Sequence, residues 1–202
     1  MNEQVNHMSG QERAIRDIMH DCLLVQGEER LEQTVANVLA ELGKHYRADS
    51  AGIFETDEAG IQIADGYEWR GEGVASKMED RRSLPPDALK QWLEWLGKRG
   101  ECCLSASSAD GAAGRMLALL GAERAMAAPI LAGGKVRGFL ELDNPRQNTG
   151  DLLLLSVAAS VCYREISRSR RQDAKLEQAE REMTDKVNQG LADQRSTQRR
   201  DG

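Results

Sequence analysis

The sequence lacks a hydrophobic run long enough to cross a membrane. Its longest apolar stretch, residues 152–163, is interrupted by Ser156 and Ser160. It falls short of the roughly 20 apolar residues that a membrane-spanning helix needs. Residues 1–4 also lack the cationic start that precedes the apolar core of a secretory signal. We therefore expect a cytoplasmic protein with no membrane partner.

An excess of positive charge is also absent. The 202 residues include 27 Lys and Arg against 33 Asp and Glu, which gives a formal net charge of -6. Nucleic-acid binding depends on cations that meet phosphates. The composition therefore argues against a nucleic-acid partner.

The CxxC pairs that usually indicate a structural zinc site are missing. The four cysteines are Cys22, Cys102, Cys103 and Cys162. His20 lies two residues before Cys22, but on the helix predicted there the two side chains point in different directions. We expect reduced, free thiols, as in other cytosolic proteins, and no metal site.

Sequence motifs of common enzyme families are missing as well. The chain has no GxSxG, no GxxxxGK followed by Ser or Thr, and no HExxH. The glycines at 71, 73, 111 and 114 are too widely spaced to form a phosphate-binding loop. We therefore expect a binding protein and not an enzyme.

The sequence does contain a regular succession of helical and strand patterns. Apolar residues at steps of three and four predict helices over 11–26, 28–47, 87–99, 114–120 and from 151 to about 168. Apolar alternation and short apolar runs predict strands over 48–55, 61–69, 101–104, 124–131 and 136–142. Segment 70–86, rich in glycine, charge and proline, is predicted to be a long loop. This order predicts an α+β fold with an antiparallel sheet.

The pattern also predicts how the chain is divided. Residues 1–10 are expected to be flexible, 11–27 to form an N-terminal helix and 28–168 to form the main domain. Residues 169–202 are expected to be a polar tail, either helical or disordered. Apolar residues still recur there every three to four positions and permit a thin coiled-coil seam, namely Leu176, Ala179, Met183, Val187 and Leu191.

Several segments resemble the GAF domain family. The run 127–130 (AAPI), the Gly133-Gly134 turn and the run 138–146 (GFLELDNPR) resemble the closing hairpin of GAF domains. The run 46–55 is similar to the helix-to-strand entry of the same family. The strand at 67–69 is similar to those of GAF domains fused to bacterial diguanylate cyclases. The resemblance covers about residues 28–168.

The resemblance implies a sheet of five to six antiparallel strands with terminal helices on one face and a ligand pocket on the other. It also implies a sensor or regulatory module in signal transduction, which binds a small molecule, dimerises, or does both. Such a module would relay its state through its terminal helices to a downstream signalling protein. The apolar N- and C-terminal helices are expected either to form a homodimer bundle or to cover their own sheet. The ligand is not identified by the sequence.

The residues expected to line the pocket are aromatic, cysteine and charged side chains on the predicted strands and the helix 87–99. They are Phe54, Trp69, Trp92, Cys102, Arg137, Phe139 and Glu141. Alternation along strand 136–142 places Arg137, Phe139 and Glu141 on one face. The charges of Arg137 and Glu141 would orient a small ligand, lie in solvent or pair with each other.

Chemically distinct GAF proteins provide the alternatives. A free methionine-R-sulfoxide reductase would need two thiols that meet, whereas adjacent residues such as Cys102 and Cys103 point to opposite faces of a strand. That family's additional Gly- and Cys-containing loop segments are also missing. Neither cysteine has the histidine neighbour that is common in bilin-binding members. Residues 54–58 resemble only the end of the sequence signature of cyclic-nucleotide-binding members. A further alternative is the sensor remnant of a truncated diguanylate cyclase or kinase.

Overall fold

The structure is a computed structural model that describes residues 28–198. The predicted flexible start (1–10) and the predicted helix 11–26 lie outside the described residues. The chain divides into two compact units, one up to Glu165 and one from Ile166 onward.

Five helices and five strands follow one another along the described chain. The helices are α1 (Glu28–Tyr46), α2 (Met78–Arg82), α3 (Pro86–Arg99), α4 (Gly111–Leu120) and α5 (Leu152–Gln198). The strands are β1 (Ser50–Thr56), β2 (Ile63–Arg70), β3 (Cys102–Ser105), β4 (Arg124–Ala132) and β5 (Lys135–Asp143).

The strands form one antiparallel sheet in the order β2-β1-β5-β4-β3. This confirms the predicted α+β class and the antiparallel sheet. In the register of the central strands, Phe54 of β1 lies opposite Phe139 of β5 and Gly66 of β2. Because directly opposed residues share a face, the register fixes which side chains meet on each side of the sheet.

The two faces of the sheet are covered by different helices. Helix α1 packs on β1 and β2, with its apolar stripe buried as predicted from its spacing. The stripe consists of Leu31, Val35, Val38, Leu39 and Leu42. Helix α3 packs on β4 and β5, and α4 packs on α3.

Local sequence explains the ends of α3. Pro86 occupies the first turn, where a missing N–H costs nothing. Asp87 in the first turn and Lys98 and Arg99 in the last turn complement the helix dipole. Gly100, with φ of 78°, ends the helix in a conformation that favours glycine.

The structure differs from the sequence prediction mainly in the connections. The long loop predicted over 70–86 contains α2, and α4 begins at Gly111, three residues earlier than predicted. Helix α5 extends to Gln198, so the tail described here is helical. Among residues 28–198, no helix is both long enough and apolar enough to span a membrane.

Candidate functional site

Three aromatic rings form the centre of the sheet face that α3 covers. Phe54 and Phe139 are neighbours on β1 and β5, with ring centroids 5.4 Å apart. Trp92 of α3 meets Phe139 edge-on at 6.2 Å. All three side chains are buried in one apolar cluster. The structure therefore brings together three of the four aromatic site residues predicted from the sequence.

Cys102 belongs to the same cluster. It lies opposite Ala127, which is itself paired with Glu141. Burial raises the pKa of its thiol to about 12. Cys103, the next residue, is exposed overall. Its sulfur is partly buried, and this partial burial also raises the pKa of that thiol. The two thiols alternate across the strand, as the sequence predicted.

Trp69 lies on the other face of the sheet. It is paired with Ala51, and its ring packs against Gly43 of α1. A methyl group at Gly43 would collide with the indole ring. Trp69 is thus separated from the other predicted aromatic residues by the thickness of the sheet. Its contact is with the helix on the opposite side.

Arg81 is the main residue that sequence analysis missed. It lies on α2, within the segment predicted as a loop, and only 1% of it is exposed. Its guanidinium carbon lies 4.7 Å from the centroid of the Phe54 ring, a distance suited to a cation–π contact. The nitrogen atoms of the guanidinium face carboxylates on two strands.

Those carboxylates are Glu68 of β2 and Glu141 and Asp143 of β5. Arg81 Nη2 donates to Asp143 Oδ2 at 3.0 Å, and Nε lies 3.6 Å from Glu141 Oε2. The Nη1 atom is 3.7 Å from Glu68 Oε1. We call these four residues the Arg81 cluster. It ties α2 to strands that are distant in sequence.

Two more side chains complete the environment of Asp143. Ser50 Oγ donates to Asp143 Oδ2 at 3.0 Å, and Lys77 Nζ lies 3.4 Å from the same oxygen. Lys77, the residue before α2, also donates to the carbonyl of Leu120 at 2.9 Å and so links the start of α2 to the end of α4. Two cations thus face three carboxylates.

The excess of one carboxylate affects Glu141. Burial raises the pKa of Glu141 to about 7, and the charge of Asp143 adds to this, while Arg81 and Lys77 oppose it. Among the described residues, Glu141 Oε2 has no hydrogen-bond partner. Its ion-pair partner is Arg81, and not Arg137 as one of the sequence alternatives had it. The sequence did contain a sign that a cation such as Arg81 lies here, because alternation places Glu141 and Asp143 on the same face of a central strand.

Arg137 lies at the end of the sheet in a groove of about 470 Å³. We call it the hairpin groove. Its walls are the β1–β2 turn (58–60), the start of β5 (135–137) and, on α3, Lys90, Leu93, Glu94 and Gly97. Arg137 Nη1 donates to the carbonyl of Glu58 at 3.2 Å across this space. Of the predicted site residues, Arg137 is the one that lines this groove.

Comparison with known proteins supports the same fold. The chromophore-binding domain of the bacteriophytochrome RpBphP3 from R. palustris aligns with a TM-score of 0.63 and 12% identity, over 80% of this chain and 61% of that domain. The phycocyanobilin-bound GAF domain of a cyanobacterial phytochrome aligns with a TM-score of 0.58 and 16% identity, over 82% of this chain and 98% of that one.

A third similar structure is an enzyme. Free methionine-R-sulfoxide reductase from Neisseria meningitidis, in complex with its substrate, aligns with a TM-score of 0.55 and 16% identity, over 82% of this chain and 97% of that one. At these identities the likeness concerns the fold alone. No curated protein sequence matches this chain.

The family itself follows from the sequence profile of the GAF domain, which matches residues 30–166. The matched residues include every strand of the sheet and the helices α2, α3 and α4. The chain therefore belongs to the GAF domain family.

Proposed function

We propose that this protein is a non-catalytic regulatory GAF module that self-associates through α5 and responds to a small molecule. The observation that carries the proposal is the length and pattern of α5, a single helix of 47 residues. In the second compact unit this helix exposes 63% of Leu176 and 70% of Met183. These residues are seven positions apart, so they occupy equivalent positions in a heptad repeat.

A second copy of the chain is the proposed partner of this exposed stripe. Ala179 lies between the two large residues, and the sequence continues with Val187 and Leu191 at the same steps. An apolar seam of this kind is buried when two helices pair. Its narrowness suits a reversible association that a ligand-dependent change in the domain would strengthen or weaken. A separate signalling protein, of the type that other GAF modules control, is the proposed output.

The small-molecule part of the proposal is supported by the family. The phytochrome GAF domain described above is bound to phycocyanobilin, and the reductase is in complex with its substrate. Neither ligand transfers directly to this chain. Neither Cys102 nor Cys103 has a histidine neighbour in sequence, so the proposal does not extend to a bilin.

The thiol chemistry argues for a non-catalytic role. Thiol-based reduction needs a thiolate, and burial raises the pKa of both Cys102 and Cys103. Adjacent positions on β3 also direct the two sulfurs to opposite faces. These observations favour a binding module over a reductase.

The decisive experiment is sedimentation velocity on the full chain and on the variant Leu176→Lys/Met183→Lys. We expect the unaltered chain to be a dimer and the variant to be a monomer, because two lysines in an apolar seam repel the same two lysines of the second chain. The matched control is Ala174→Lys/Gln178→Lys, which adds the same charge at exposed positions on the other side of the helix and should remain a dimer. Circular dichroism would verify that all three proteins retain their helices.

Two results would overturn the self-association proposal. One is a chain that stays monomeric at the highest concentration measured. The other is equal loss of dimer in the control, which would indicate a general effect of charge. Native mass spectrometry on gently purified protein would report any retained small molecule at the same time.

A further inference from the structure

We propose that the hairpin groove binds a small organic anion, whose carboxylate or phosphate group is held by Lys90, Lys135 and Arg137. The apolar part of the ligand would lie on Leu93 and Val136. The inference deepens the proposed function and rests on it, because it assigns a place and a chemical class to the small molecule.

The first argument is the charge of the groove. Its lining includes three cations against two carboxylates, Glu58 and Glu94, in a chain whose formal net charge is -6. Within the described part of the chain, neither Lys90 nor Lys135 forms an ion pair, although Glu94 follows Lys90 by one helical turn. A local cationic excess in an acidic protein favours an anionic ligand.

Arg137 is the best oriented of the three cations. Its Nη1 donates to the carbonyl of Glu58, and its own carbonyl accepts from Thr56 Oγ1 at 3.1 Å. These two contacts hold the arginine at both ends. A guanidinium held in place loses little freedom when it binds an oxyanion, which it recognises through two parallel N–H groups.

Hydrogen bonds and close packing hold the two walls of the groove in place. In the β1–β2 turn, Asp57 Oδ1 accepts from the backbone N–H of Ile61 at 2.8 Å, and the N–H of Gly60 donates to the Asp57 carbonyl at 3.0 Å. On the opposite wall, Gly97 lets α3 approach β5. A Cβ at that position would lie 2.9 Å from Val136 Cγ2.

These features match the general character of small-molecule sites. Such sites are concave, measure hundreds of cubic ångströms and combine apolar floors with a few polar groups. The lining of the hairpin groove includes the buried Leu93, the half-buried Val136 and Arg137, and the exposed Lys90 and Lys135. The arrangement differs from the buried aromatic cluster around Phe54, because its charged side chains are accessible to a ligand from solvent.

The test is a titration of the ¹⁵N-labelled full chain, followed by backbone amide shifts. Benzoate and phenyl phosphate are the anionic probes, and benzylamine and inorganic phosphate are the comparison probes. We expect at least one aromatic anion to shift amides in 58–60, 93–97 and 135–137, while benzylamine leaves them unchanged. The tighter of the two aromatic anions identifies the head group, carboxylate or phosphate.

Charge-reversal variants give the test its specificity. Lys135→Glu should weaken binding of the anionic probe by about tenfold or more, because it replaces a charge-assisted contact with repulsion. Lys98→Glu changes the same charge on an exposed part of α3 outside the groove, and it should bind as the unaltered chain does. Both substitutions are at exposed positions, and the amide spectrum itself reports whether each variant is folded.

Several results would overturn the inference. They are the absence of shifts with both aromatic anions, binding to Lys135→Glu as tight as to the unaltered chain, and binding of inorganic phosphate as tight as that of phenyl phosphate. The sedimentation experiment on α5 uses no ligand. A dimer that fails to bind these probes would therefore overturn the groove assignment and leave the association proposal standing.

Discussion

At the scale of single residues, Arg81 shows how a charge acquires its role from partners far away in the chain. The segment that holds it has the composition of a solvated loop, and a charged residue in such a loop is normally exposed. Its burial depends on Glu68, Glu141 and Asp143, which reach it through strand pairing. No pattern local to residues 70–86 encodes those contacts. Glu141, in contrast, could be placed on its face from alternation alone.

The titration of Glu141 predicts a specific pH dependence of stability. Its pKa in the folded protein is raised from 4.5 to about 7, first by burial. Between these pH values the folded protein holds a proton that the unfolded chain releases, so the free energy of unfolding falls as pH rises. Glu141→Gln has no proton to lose. We expect the free energy of unfolding of this variant to rise relative to the unaltered chain from pH 5 to pH 8.

Urea denaturation at several pH values between 5 and 8 measures this difference. The sign matters more than the size, because Glu141 titrates together with its charged neighbours. A difference between variant and unaltered chain that stays constant across the range would contradict the assignment. So would a difference that changes in the opposite direction.

At the scale of elements, the sequence predicted all five described strands and four of the five described helices. Periodicity sufficed where an element buries a long apolar face, as in α1 and α3. Helix α2 has five residues, too few to display a period, and its side chains are charged. The placement of Trp69 was also beyond the sequence, because an aromatic residue on a strand is suitable for either face.

The contact between α1 and β2 gives a prediction at this scale. Alanine usually stabilises a helix relative to glycine, but at Gly43 the added methyl group collides with the Trp69 ring. We expect Gly43→Ala to lower the free energy of unfolding by about 1–3 kcal/mol, as overpacked cores generally do. Thermal and urea unfolding would measure the loss.

A double variant separates the collision from other effects of the alanine. In Gly43→Ala/Trp69→Leu the smaller side chain makes room for the methyl group, so the added cost of the alanine should shrink or vanish. If the alanine costs the same with tryptophan and with leucine at position 69, the close approach is not its cause.

At the scale of the whole molecule, α5 belongs to both compact units. Its early residues, including Leu154, Leu155 and Ala158, are buried in the first unit. Most of the described side chains after Arg168 are exposed. The sequence showed this change from apolar to polar composition, together with an apolar recurrence that permits a thin coiled-coil seam. It left open whether the tail is helical, because a polar helix is only marginally stable by itself.

Hydrogen exchange tests how the tail helix is stabilised. Amides of residues 171–186 should exchange rapidly in dilute protein, where the helix has no partner, and slowly at concentrations that favour the dimer. Amides in residues 154–162 should be protected at both concentrations. Mass spectrometry of peptides from the two regions measures this directly. Exchange in 171–186 that is independent of concentration would contradict pairing through this part of α5.

The Arg81 cluster also has a consequence for how this protein can change by mutation. Removing one partner of a buried ion pair costs about 3–5 kcal/mol, whereas replacing a whole buried set with apolar residues of similar volume is often neutral or stabilising. Substitutions that alter Arg81 or Asp143 one at a time therefore produce poorly folded variants. An apolar version of the site is accessible only in a coordinated step. The cluster acts as a barrier between two sets of acceptable sequences, and a library that varies these positions jointly would find solutions that single-site scanning misses.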